Sequence, residues 1–163
     1  MKARLARLED SAAMARIYNQ GIEDRVATFE TRVRTAADIE KWFDGVHPIV
    51  VVEEGSEVIA FASTSTYRPR GCYAGIAECS AYVVSAARGR GAGRTAVLAL
   101  FDEARNAGFH KLVSRVFPEN HTSLRMLDKL GWRRVGIYER HGQLDGVWRD
   151  VVIVEKLLFE PRP

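Results

Sequence analysis

Cysteine is almost missing from this 163-residue chain: Cys72 and Cys79 are the only two. With no cleavable apolar leader ahead of "MKARLARLED", so little cysteine predicts a reducing, cytoplasmic setting. Long apolar runs are missing as well. None approaches the roughly 20 residues that cross a bilayer, so a soluble protein with no membrane partner is expected. A strong charge of either sign is lacking: 24 basic residues stand against 21 acidic ones, for a net charge of +3. That excess suits a phosphate-bearing ligand but is too thinly spread for a dedicated nucleic-acid binder. There is no internal repeat, no low-complexity stretch and no linker longer than a loop, which predicts a single domain over residues 1–163. What remains, 47% hydrophobic and 28% charged residues, suits one globular domain with a sizeable core.

The pattern along the chain is mixed α/β. A short strand around Lys2 to Ala6 leads into a helix capped by Asp10 or Ser11, with Met14, Ile17, Tyr18 and Ile22 on one face. Thr35 caps a second helix whose apolar stripe is Ile39, Trp42 and Phe43. "PIVVVEEGSEVIAFASTSTY" reads as two strands around a Glu54-Gly55-Ser56 turn, and "YAGIAECSAYVV" as a third, an antiparallel meander. The helix "GRTAVLALFDEARNAG" buries Val97, Leu100, Phe101 and Ala104 and ends at Gly108. "KLVSRVF" is a strand, "NHTSLRMLDKLG" a helix closed by Gly131, and "WRRVGIYERHG" and "VWRDVVIVEKLLF" are two terminal strands. The predicted order is β-α-α-β-β-β-α-β-α-β-β.

Between the third strand and the next helix lies "SAARGRGAGRTA", with three arginines and three glycines in the seven positions from Arg88 to Arg94. A Walker A loop fails here, because five places before Gly93 stands Arg88, and Arg94 stands where lysine belongs. A dinucleotide fingerprint fails too, since Gly89, Gly91 and Gly93 alternate and a meander precedes them. An arginine-glycine RNA segment is normally disordered and repeated, whereas this single copy opens an amphipathic helix and has no companion aromatic platform. Two readings remain open. One is Arg-x-x-Gly-x-Gly as a cradle whose backbone N–H groups and helix dipole meet a pyrophosphate; the other is a glycine-rich turn with no ligand.

At these residues the chain resembles the GCN5-related N-acetyltransferases, over essentially its whole length. "PENHTSLRMLDKLGW" is similar to the family's later motif, with Gly131-Trp132 in place of the usual Gly-Phe. More narrowly, "IYNQGIEDRVATFE", "YRPR", "AECSAYVV" and "GVWRDV" resemble the phosphinothricin N-acetyltransferase group, which acts on phosphinothricin, arsinothricin and methionine sulfone or sulfoximine in resistance or detoxification. The resemblance implies a mixed, mostly antiparallel sheet flanked by helices, acetyl-CoA as cosubstrate, no metal, a small-molecule amine acceptor and a homodimer. It implies that Arg88, Gly89, Arg90, Gly91, Ala92, Gly93 and Arg94 hold the pyrophosphate and that Asn120 and Ser123 sit near the pantetheine. The pantetheine arm is then expected to run back along the strand at Tyr82, Val83 and Val84, as an added strand does.

That layout brings the thioester to Glu78, on the order of 20 Å upstream of the glycine cluster at roughly 3.3 Å per residue. Period two puts Ile76, Glu78, Ser80 and Tyr82 on one face. A carboxylate in an apolar strand is costly unless paired or used, and amine acylation uses one as base. Glu78 is therefore the candidate catalytic residue; the alternative is a carboxylate facing solvent or paired with an arginine. Strand N–H groups near Tyr82 or Val83 are the candidate oxyanion donors. Many family members carry a tyrosine acid seven places after the motif asparagine, where this chain has Leu127. The acid is left open among Tyr82, Tyr138, water and none, and His121 and His141 stand isolated. Substrate contact is expected from Arg68 and Arg70, two planar forks suited to a carboxylate or phosphinate, together with Phe29, Ser80 and Glu78. Against these stand a basic surface turn for the arginines and a core role for Phe29. Trp148 and Asp150 are expected to shape the final strands. The competing functions are acetylation of a peptide, protein or polyamine, and a noncatalytic acetyl-CoA sensor.

Overall fold

Continuous apolar runs build the central strands, and helical spacing of apolar residues builds the covers. The computed structural model describes residues 1–160 and 163. Its elements are β1 (Lys2–Leu5), α1 (Ser11–Asp24), α2 (Ala36–Glu40), β2 (Ile49–Glu54), β3 (Glu57–Thr66), β4 (Ile76–Val83), α3 (Ala92–Asn106), β5 (Lys111–Val116), α4 (His121–Lys129), β6 (Arg133–Leu144) and β7 (Val147–Leu157). The order matches the expected one. The strands join one sheet in the order β1-β2-β3-β4-β5-β7-β6. Every contact in it is antiparallel except β4 with β5, where α3 carries the chain back to the starting end.

Helices cover both faces of the sheet. Successive residues of β4 point to opposite sides: Tyr82 meets Tyr18 of α1 edge-on, with ring centroids 5.0 Å apart, while a Cβ at Gly93 of α3 would sit 3.3 Å from the Val83 side chain. β2 lies between these layers and is fully buried from Ile49 to Val52, which is why its apolar run does not alternate. The core gathers Met14, Ile17 and Ile22 from α1, Phe61 from β3, and Val97 and Leu100 from α3. At Gly21 of α1 a side chain is excluded, because a Cβ there would lie 2.8 Å from the Tyr82 ring. No helix among the described residues is long and apolar enough to cross a membrane.

Three local expectations need correcting. Asp10 does not cap α1 with its side chain; its carboxylate instead accepts Arg4 Nη1 at 2.8 Å and the Arg7 N–H at 2.7 Å, tying β1 to the start of α1. Thr35 does cap α2, in a reciprocal box with Asp38. That helix stops at Glu40, so Trp42 and Phe43 pack on the core from the turn beyond it. β4 begins at Ile76, after a tight turn over Gly71–Tyr73.

Candidate functional site

β4 and β5 pair only at Ile76↔Lys111, Ala77↔Leu112 and Glu78↔Val113, and then part. β3 stays paired with β4 as far as Val83, so β4 remains in the sheet while its other edge, from Cys79 to Val83, has no strand partner among the described residues. The apex of this wedge is tied by Ser114, whose hydroxyl donates to the Cys79 carbonyl at 2.8 Å. A cavity of about 60 Å³ fills the opening, lined by Cys79, Tyr82, Asn120, Ser123, Leu127 and their neighbours. Asn120 is fixed there because its side-chain oxygen accepts the Ser123 N–H at 3.2 Å and so caps α4. A larger hollow of about 330 Å³ lies between α4 and β6, lined by Leu124, Arg125, Arg134, Ile137 and their neighbours, with no residue of the glycine-rich loop in its wall.

A row of free donors stands at the wide end of the wedge. Gly91 is the N-cap of α3 at φ 90° and Gly89 sits at φ 75°, a left-handed conformation that glycine adopts without strain. After the Arg88 N–H, which donates to the Ser85 carbonyl at 3.3 Å, the next N–H to find an intrachain acceptor is that of Thr95, on the Gly91 carbonyl at 3.0 Å. From Gly89 through Arg94, six successive N–H groups have no acceptor among the described residues. This is the anion-binding geometry of a helix N-terminus. The arginines divide: Arg88 is held by Asp24 at 2.6 Å and Arg90 by Glu54 at 2.6 Å, which leaves Arg94 as the loop guanidinium without a carboxylate partner among the described residues.

Glu78 lies at the narrow end and is three-quarters buried. Arg115 of β5 donates to it through Nε at 2.6 Å and Nη2 at 2.5 Å, both to the same oxygen, Oε1. Oε2 keeps its lone pairs free of any described residue. Arg115 was not among the expected site residues, although the signal was present: it is a charged residue in the apolar strand "KLVSRV", open to the same cost argument that singled out Glu78. Cys79, next to Glu78, is buried, and that burial, with the Glu78 charge, pushes its thiol up to about 12. It is therefore held as a thiol rather than a nucleophilic thiolate.

The remaining expected residues fall in different places. Ser80 faces Ser63 across the β3–β4 pair, with hydroxyls 3.3 Å apart. The Tyr82 ring stacks on Phe61, and burial pushes its phenol well above the usual range. Leu127 gives the wedge an apolar wall. Tyr138 is on the edge strand β6 against His141, two strands beyond β5 and away from the wedge. His121 borders the larger hollow. Arg68 and Arg70 are exposed in the loop that leads into β4 and meet no carboxylate among the described residues; Arg68 lies over the Tyr67 ring. Phe29 packs edge-on against Phe117, centroids 4.8 Å apart, in a small cluster with Leu144 and Val151. With Ala27 lining the wedge, the segment after α1 roofs it, and Arg25 pins that segment to Asp145 at 3.0 Å. Asp150 accepts the Arg140 N–H at 2.7 Å, which fixes the bulge in β6, and Trp148 is exposed.

Residues 14–132 match the model of the Acetyltransferase (GNAT) family. The L-amino acid N-acyltransferase MnaT of Escherichia coli is 30% identical to the chain, covering 98% of this chain and 95% of MnaT. The crystal structure of a phosphinothricin acetyltransferase from Sinorhizobium meliloti in complex with AcCoA superposes with a TM-score of 0.88 at 25% identity, over 96% and 87% of the two chains. That of a ribosomal-protein-alanine N-acetyltransferase from Brucella melitensis superposes with a TM-score of 0.91 at 28% identity, over 96% and 99%.

Proposed function

The chain belongs to the GNAT acetyltransferase family and is an acyltransferase, and from that premise we propose that it moves an acetyl group from acetyl-CoA to the α-amino group of a small amino acid or analogue. The acceptors in view are of the phosphinothricin, arsinothricin and methionine sulfoximine or sulfone type, acetylated as a detoxification. The observation that carries the reading is the row of acceptorless N–H groups from Gly89 to Arg94 at the mouth of a strand edge left open from Cys79 to Val83. A pyrophosphate suits the first and an extended amide chain the second. The Sinorhizobium neighbour's AcCoA and the amino-acid acceptors named for MnaT support the same reading. The proposal includes a homodimer through the β6–β7 hairpin, which exposes Val135, Ile137, Tyr138, Val147 and Trp148.

In this reading the loop backbone and Arg94 hold the pyrophosphate, and Asn120 and Ser123 border the pantetheine. Glu78 Oε2 accepts a proton from the acceptor's ammonium, directly or through a water, and so frees the nitrogen lone pair. Nitrogen bonds to the thioester carbon and gives its second proton to water, the carbon–sulfur bond breaks, and the departing thiolate takes up a proton from water to leave as the free thiol. N–H groups of β4 near Tyr82 and Val83 stabilise the intermediate oxyanion. With Cys79 held as a thiol, transfer is direct and forms no acyl-cysteine. Arg68 and Arg70, which meet no carboxylate among the described residues, face the side-chain acid or tetrahedral group of the acceptor.

Thiol release from acetyl-CoA with a panel of acceptors tests this. Phosphinothricin, arsinothricin and methionine sulfone should be turned over, and Glu78→Gln should lower kcat by roughly 10²-fold or more with acetyl-CoA affinity nearly unchanged. Acetylation of peptides or polyamines in preference to these amino acids would overturn the acceptor class. Normal turnover by Glu78→Gln would remove Glu78 as the base.

A further inference from the structure

Glu78 and Arg115 form a fused pair with two unused corners. Both guanidinium bonds go to Oε1, so Oε2 on the carboxylate and Nη1 on the guanidinium each have no partner among the described residues. The pair is not sealed: the Glu78 side chain is 23% exposed and that of Arg115 53% exposed. Arg115 also lines the wedge cavity, on the strand that parts from β4 just beyond Glu78. Arg88 and Arg90 are committed to Asp24 and Glu54 and Arg94 belongs to the glycine-rich loop, whereas Arg115 is the guanidinium set directly beside the candidate base.

We propose that Arg115 reads the α-carboxylate of the acceptor while Glu78 takes its α-ammonium, so that the pair recognises a free α-amino acid as a zwitterion. An α-amino acid carries its cation and its anion on neighbouring atoms of one carbon, and a receptor for it needs an acceptor and a donor side by side. Oε2 and Nη1 are that acceptor and that donor. A polyamine, a peptide N-terminus or an amino-acid amide offers the cation without the adjacent carboxylate and fills half of the site. Holding both groups fixes the nitrogen beside its base, where orientation contributes to rate. Arg68 and Arg70, in the separate loop before β4, are then left for the side-chain acid or tetrahedral group. This assignment rests on Glu78 being the acceptor-side carboxylate of the proposed reaction.

The test compares L-methionine sulfone with its α-carboxamide. Binding of each to the CoA-loaded protein is measured by calorimetry for the wild type, Arg115→Ala and Arg115→Lys, with thermal melting to establish folding and thiol release followed in parallel. The wild type should prefer the acid by at least about tenfold, and Arg115→Ala should weaken the acid about 10- to 100-fold, the range of a charge-assisted contact, while leaving the amide unchanged. Arg115→Lys, which keeps the charge and loses the fork, should fall between. Equal weakening of acid and amide, a wild type that does not distinguish them, or a wild type that binds neither would overturn the assignment. Acid preference without thiol release would retain Arg115 as the reader and sink the transferase reading; thiol release without acid preference would do the reverse.

Discussion

Gly91 shapes the loop through its backbone rather than through a side chain. At φ 90° it is the N-cap of α3, and nothing lies within 4 Å of where a Cβ would point, so the obstacle to substitution is backbone conformation rather than crowding. A valine there would pull the loop toward negative φ and turn the N–H row away from an anion. Gly91→Val should keep the fold and lose most acetyl-CoA affinity by calorimetry; unchanged affinity would remove the loop from the cofactor site. Asp44 gives a residue-scale effect of a different kind. Burial opposes its charge, yet bonds from the His47 N–H, the His47 ring and the Val46 N–H outweigh burial and hold the carboxyl at about 2, below its ordinary 3.8. A depressed folded pKa contributes stability that is present above pH 3.8 and lost as pH falls through about 2. Asp44→Asn should therefore lower the melting temperature at pH 6, and the gap from the wild type should close as pH falls from 4 to 2.

At the scale of elements the decisive feature is the short register between β4 and β5. Parallel strands joined by a helix normally pair along their shared length, and here the ladder stops after Glu78↔Val113. Ser114 marks the limit, because its buried hydroxyl satisfies the Cys79 carbonyl that a continued ladder would have used. Ser114→Ala leaves that carbonyl without its donor and should cost about 1–3 kcal/mol, the usual penalty for an orphaned buried acceptor, measured by chemical denaturation. A variant as stable as the wild type would mean that water replaces the hydroxyl at the apex. α3 and α4 both start at the wedge; α4 is capped by Asn120, whereas α3 leaves its N-terminal donors free there.

For the whole molecule, the terminal hairpin stands out, since Val135, Ile137, Tyr138, Val147 and Trp148 are all about half exposed on β6 and β7. So much apolar surface on one hairpin is more than scattered exposure and fits contact with a second copy. Wild-type protein should sediment as a dimer, and Ile137→Asp should shift it toward monomer with its melting temperature falling as protein concentration is lowered. A monomeric wild type at micromolar concentration would remove the homodimer from the proposal. Under the proposed function the sheet divides its duties, with cofactor and acceptor chemistry at its centre and association at the β6 edge.

The sequence by itself determined the order of the elements, because hydrophobic period, Gly108 and Gly131 as helix ends, and the Thr35 cap are local signals that packing did not override. It also determined the glycine-rich loop and the face shared by Glu78, Ser80 and Tyr82, since alternation along a strand survives any arrangement of its neighbours. Only the tertiary structure decided that β4 and β5 part after three pairs, because register depends on residues far apart in the chain. For the same reason it alone set Arg115 on Glu78, 37 positions away, and turned Arg88 and Arg90 to Asp24 and Glu54. Trp42 and Phe43 reached the core from beyond a helix that ended at Glu40, burial having been legible in their type while the turn that delivers them was not. Residue type fixes what a side chain can do; which partner it does it with is set by the fold that brings distant strands together.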